Sequence, residues 1–83
     1  RVGRWPGDPR EAMQTEEFRR ALADCISALP EKYAIAFVLR EIDGVDSQEI
    51  CQLLDISPTN LWARLHRARL GLRKCLEKHW LKR

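Results

Sequence analysis

Apolar residues recur along this chain in four blocks, and each block carries a start or stop signal at its ends. In the first, Phe18, Ala21, Leu22, Cys25 and Ile26 follow helical spacing, which puts them on one face of a helix running to about Ala28. Two starts are open to it. Asp8-Pro9-Arg10-Glu11 offers a capping acid, a proline suited to the first helical position and a second acid. Thr15 followed by Glu16 and Glu17 offers another. The second block, Glu31 to Asp43, contains Tyr33-Ala34-Ile35-Ala36-Phe37-Val38-Leu39 without a polar break. A buried strand fits that run, but a helix fits the whole element better. It is about 13 residues long, opens after Leu29-Pro30 with an acid and stops at Asp43-Gly44. Being apolar nearly all round, it is predicted to be the central helix, touched on several sides.

The third block is capped by Asp46 or Ser47, with Glu49 completing a D-x-x-E box. Ile50, Leu53 and Leu54 form its apolar side and Cys51 lies beside them. Asp55-Ile56-Ser57 then breaks it, with Ile56 expected to plug the corner. The fourth opens with Ser57 as cap and Pro58 at the first helical position. At 100° per residue, Leu61, Leu65, Ala68, Leu72, Cys75, Leu76 and His79 share one arc, the predicted core face. Ala63, His66, Arg67, Leu70 and Lys74 lie opposite, with Trp62, Arg69 and Arg73 on one flank and Arg64 on the other. A short helix, a three-residue break and a long helix form the layout of a helix-turn-helix. The prediction is an all-α, compact four-helix domain over residues 9–83, of the winged-helix-like class, with the helix-turn-helix at its C-terminal end. Residues 1–8, with two glycines and a proline, read as an irregular lead-in, and Trp5 has no settled place.

Eighty-three residues hold one small domain. No apolar run nears the roughly 18 residues that span a bilayer, so no membrane partner is expected. The first residue is Arg1, as in a piece of a longer chain. Charge changes the picture more. Residues 57–83 carry eight basic side chains against Glu77 alone, a net of +7, whereas residues 1–56 carry seven against eleven acids, a net of −4. A basic end on a small domain suits an oriented electrostatic contact, nucleic acid first among the candidates. No glycine-rich phosphate loop or nucleophile-base set is present, so no enzyme and no cofactor are expected. Cys25, Cys51 and Cys75 are widely spaced without a CxxC pair and read as reduced thiols serving as small core residues. Cys75 and His79, four apart, would suit zinc, but core packing accounts for both, and no metal site is expected.

The motifs then fall into one order: Leu29-Pro30; a helix ending Leu39-Arg40-Glu41-Ile42-Asp43-Gly44; Ser47-x-x-Glu49-Ile50; Leu54-x-Ile56-Ser57; Arg64-Leu65-His66-Arg67-Ala68-Arg69; Leu72-Arg73. Over residues 9 to 76 this resembles the C-terminal DNA-binding region (region 4) of bacterial sigma-70-family factors of the extracytoplasmic-function (ECF) group. The resemblance implies recognition of the promoter −35 element on double-stranded DNA, docking on the β flap of RNA polymerase, a cytoplasmic place, and an anti-sigma factor as a further partner. Asn60, Trp62 and Ala63 depart from the family's common threonine, basic residue and serine, which leaves the base preference open.

A helix in a major groove reads base edges from its N-terminal half. That assigns base reading to Ala63, His66 and Arg67, with Trp62 at the edge, either on a sugar or thymine methyl or as a cover over the neighbouring helix. Ser47, Gln48, Ser57, Asn60, Arg64, Arg69 and Arg73, at helix starts or on flanks, are the predicted phosphate contacts. For Arg69 and Arg73 the alternatives are a solvated face or pairs with acids such as Glu41. Lys78, Lys82 and Arg83 read as a basic tail. The competing functional reading is a protein-interaction module, built on the apolar first two helices and Trp80, that binds polymerase or an anti-sigma factor with little DNA binding of its own.

Overall fold

The computed structural model describes residues 15–81, with only the backbone of Trp80 and Leu81. The lead-in over residues 1–8, Trp5, the start at Asp8-Pro9, and Lys82 and Arg83 lie outside the described residues. Helix α1 spans Glu16–Ser27, and Thr15 is its cap, Phe18 N–H donating to Thr15 Oγ1 at 3.1 Å. Glu16 and Glu17 place negative charge at its positive end. The chain then turns through Leu29-Pro30 into α2, Glu31–Phe37, whose first carbonyl acceptor is Pro30 O.

Helix α2 runs straight into a π-helical turn, Val38–Ile42, closed by Asp43 N–H on Val38 O at 2.9 Å. Gly44 follows at φ 71°, the left-handed conformation that ends a helix at little cost. Helix α3 is Ser47–Leu54 and α4 is Pro58–Leu76, extended by a second π-helical turn, Glu77–Leu81. All regular structure among the described residues is therefore helical, with the four helices in the expected order.

Two apolar clusters make the core. Phe18, Cys25, Leu72 and Leu76 form one, packed by Ala21, Leu22, Ile26, Leu29 and Phe37. Ala36, Ile50, Leu61 and Leu65 form the other, packed by Leu39, Val45, Cys51, Leu54 and Ile56. Helix α4 crosses both, with fully buried Ala68 between its two pairs of leucines. The N-terminal half of α4 is thus seated on α2 and α3, and its C-terminal half on α1.

Three expectations change. The central element is α4 rather than α2: of the α2 run only Ala36 is fully buried, while Ile35 and Ile42 stay 38% and 54% exposed. Helices α1 and α4 cover two sides of α2 and leave the side carrying these isoleucines open. His79, placed on the core arc by a 100° step, is exposed. The wider π-helical turn that holds it no longer follows that step. Finally, Cys25 and Cys75, expected as thiols, are joined in a disulfide between α1 and α4, with Cα atoms 5.7 Å apart. Their helical arcs had put both in the core, but only the packing of α1 on α4 brings them into bonding reach. Cys51 remains a half-buried free thiol.

Candidate nucleic-acid interface

The helix-turn-helix is built from local chemistry. Asp46 caps α3, its Oδ2 accepting from Gln48 N–H at 3.1 Å, which leaves the Ser47 and Gln48 side chains exposed at the helix start. At the other end Asp55 turns left-handed, φ 57° and ψ 53°, and its N–H and that of Ile56 both return to Cys51 O. Asp tolerates this conformation better than most side chains. Ile56 then drops against the cluster of Ala36, Ile50, Leu61 and Leu65, plugging the corner as expected. Ser57 Oγ accepts from Asn60 N–H at 3.0 Å, Pro58 occupies the first turn of α4, and no acid lies in that first turn.

With Leu61 and Leu65 buried, the outward arc of α4 is fixed. Trp62, Ala63, His66 and Arg67 are all exposed on it. Trp62 is 69% exposed, so it is not a cover over the neighbouring helix. Its ring lies nearly parallel to His66, with centroids 5.8 Å apart and planes 9° from each other. The four predicted base-reading residues are thus brought together on one surface.

The predicted phosphate set divides. Ser47 and Gln48 meet Pro58 and Trp62 in a groove on the α3 side of α4. Arg64 lies on the other side, half-buried, with its Nε donating to Asn60 Oδ1 at 2.8 Å. Arg69 is paired with Glu41 in the π-helical turn after α2, Nη2 to Oε2 2.6 Å, and Arg73 with Glu77 one turn on, Nε to Oε2 3.2 Å. Both arginines remain more than half exposed, so each pair is open to water.

The groove on the Arg64 side also contains residues absent from the sequence assignment. Lys32 and Tyr33 of α2 form its far wall, facing Ser57, Thr59, Asn60, Ala63, Arg64 and Arg67. Lys32 Nζ sits over the Tyr33 ring, 5.4 Å from its centre. No local signal marks these two, because they lie some 25 residues or more before the helix they face and belong to an acidic half of the chain. A separate, mostly apolar groove between α1 and the π-helical turn after α2 is lined by Phe18, Leu22, Ala23, Ile26 and Ile42, together with Arg19 and Glu41.

Residues 19–72, from α1 to the C-terminal half of α4, match the family model for sigma-70, region 4. The chain belongs to the sigma-70 region 4 family. It is 40% identical over 68 residues to a probable RNA polymerase sigma factor of Haemophilus influenzae, covering 82% of this chain and 35% of that protein. It is 36% identical over 62 residues to the ECF RNA polymerase sigma-E factor of Escherichia coli, covering 75% of this chain and 32% of the relative. This region 4 chain therefore spans about a third of the length of the curated relatives it matches. The matched residues contain the whole helix-turn-helix and both grooves that flank α4.

Proposed function

We propose that this chain is the −35-reading part of an ECF sigma factor, acting in the bacterial cytoplasm to bring RNA polymerase to promoters. The observation that carries the reading is the surface of α4. Leu61 and Leu65 seat the helix, and Trp62, Ala63, His66 and Arg67 project from it between two flanks bearing polar and basic side chains. Arg67 is assigned a bidentate contact to guanine O6 and N7. Ala63 allows close approach to a thymine methyl, and the Trp62–His66 stack offers a flat apolar wall beside it. The arrangement positions and binds, and the role needs no catalytic group. Arg67→Ala is expected to cost about 1–3 kcal/mol of discrimination at one base pair. Selection of bound sequences from random DNA by the full-length factor with polymerase, with and without the substitution, measures this. An unchanged preference would remove Arg67 from the reading face.

A second reading has its own support. The groove of Phe18, Leu22, Ile26 and Ile42 leaves apolar surface open on the side of the molecule built by α1 and α2. Docking on the polymerase β flap, or capture by an anti-sigma factor, is assigned to this side. Arg67→Ala separates the two roles, since it should abolish −35-dependent transcription and leave partner binding intact.

A further inference from the structure

We propose that Lys32 and Tyr33 form a second phosphate-binding wall, so that α4 is held on both flanks by the two strands bordering one major groove. The inference rests on the reading of α4 as the DNA-reading helix and extends it to a helix outside the helix-turn-helix. A major groove is about 12 Å wide and is edged by a phosphate backbone on each side. A helix lying in it therefore meets phosphates along both flanks. On one flank of α4 the helix-turn-helix itself supplies Ser47 and Gln48, the first residues of α3. The helix-turn-helix supplies no neighbouring helix on the other flank. There the start of α2 closes the groove, and its contribution is an ammonium and a phenol hydroxyl.

The lining of that groove fits a phosphodiester. Lys32, Arg64 and Arg67 give three cations, of which Arg67 is the one assigned to base edges, and Tyr33, Ser57, Thr59 and Asn60 give polar side chains, with no carboxylate among them. Two of the cations are oriented by neighbours. Arg64 is tied through Nε to Asn60 Oδ1 at 2.8 Å, which leaves its two terminal nitrogens to donate outward. Lys32 rests over the face of Tyr33, which holds a flexible ammonium beside the groove at reduced entropic cost. Neither contact uses the charge up, because neither partner is an acid. Contacts of this kind carry no base information, and they set register and affinity.

The test needs no knowledge of the −35 sequence, because a phosphate contact is read on any duplex. The chain is titrated with a short random-sequence duplex at several salt concentrations, and log K is plotted against log salt. Lys32→Ala is expected to weaken binding several-fold and to make the slope shallower by about 0.9, one phosphate contact. Lys32→Arg is expected to restore the slope. Lys78→Ala, which removes the same charge from a site beyond the groove, is expected to leave it unchanged. If Lys32→Ala binds with the affinity and slope of the unsubstituted chain, or if Lys78→Ala has the same effect as Lys32→Ala, the groove is not a phosphate site. If the unsubstituted chain binds no duplex at all, the DNA reading falls with it. Lys32 is exposed, so unchanged helicity and melting of the variants confirm that folding is not the variable.

Discussion

Arg69 of α4 and Glu41 of the π-helical turn after α2 meet at 2.6 Å, with side chains 52% and 38% exposed. A pair so open to water contributes about 1 kcal/mol or less to stability. In the proposed DNA complex, the same pairing would compete with a phosphate for Arg69. Glu41→Gln is therefore expected to change unfolding free energy by no more than about 1 kcal/mol. It should also steepen the salt dependence of binding to a random duplex by up to about 0.9 in slope as Arg69 is released. Urea unfolding and a salt titration measure the two effects, and an unaltered slope would place Arg69 out of reach of the backbone. Arg69 was legible in the sequence as a flank cation with Glu41 as one possible partner, because helical phase alone put it there. Gly71 was not legible. A Cβ at that position would come within 2.6 Å of Leu29 Cδ2, so the glycine makes room for the Leu29 side chain as it is packed here. Its reason is a contact between residues 42 positions apart, which no local pattern encodes.

Helix α1 is attached to α4 in two ways, through Phe18, Leu22, Leu72 and Leu76, and through the Cys25–Cys75 disulfide. The bond closes a loop with a sequence separation of 50, which contains α2, α3 and most of α4. Cross-linking a loop of this length restricts the unfolded chain, and its loss typically costs about 2–5 kcal/mol in a small domain. Reduction is expected to lower stability by that amount in urea unfolding, and Cys75→Ser should match the reduced protein and be indifferent to reductant. Equal midpoints with and without reductant would show that packing alone holds α1. The positions of the helices were readable from periodicity and caps: Thr15, Asp46 and Ser57 each accept the capping bond their types suggested. The thiol pairing was not, since two cysteines on two helical faces can meet only if those faces pack. The π-helical turn after Phe37 was also unforeseen. It carries Glu41 to its partner on α4 and Ile42 to the edge of the apolar groove.

At the scale of the molecule, a small basic face is expected to bind DNA weakly by itself. About four phosphate contacts give a slope of log K against log salt near −3.6. In the proposed role, the full sigma factor and polymerase would supply the remainder through effective concentration. A titration of this chain alone against random duplex checks this, and a slope near zero would contradict an electrostatic interface. The four helices, the turn between the last two, the basic bias of the C-terminal end and the outward arc of α4 were all determined by the sequence itself. Each depends on residues within a few turns of one another, where periodicity, caps and charge act locally. Which helix is central, which cysteines bond, which cations are already paired, and which residues of α2 wall the second groove were decided only by the tertiary structure. Those depend on which faces pack together, and residues such as Lys32 and Arg64, or Cys25 and Cys75, become neighbours only when they do.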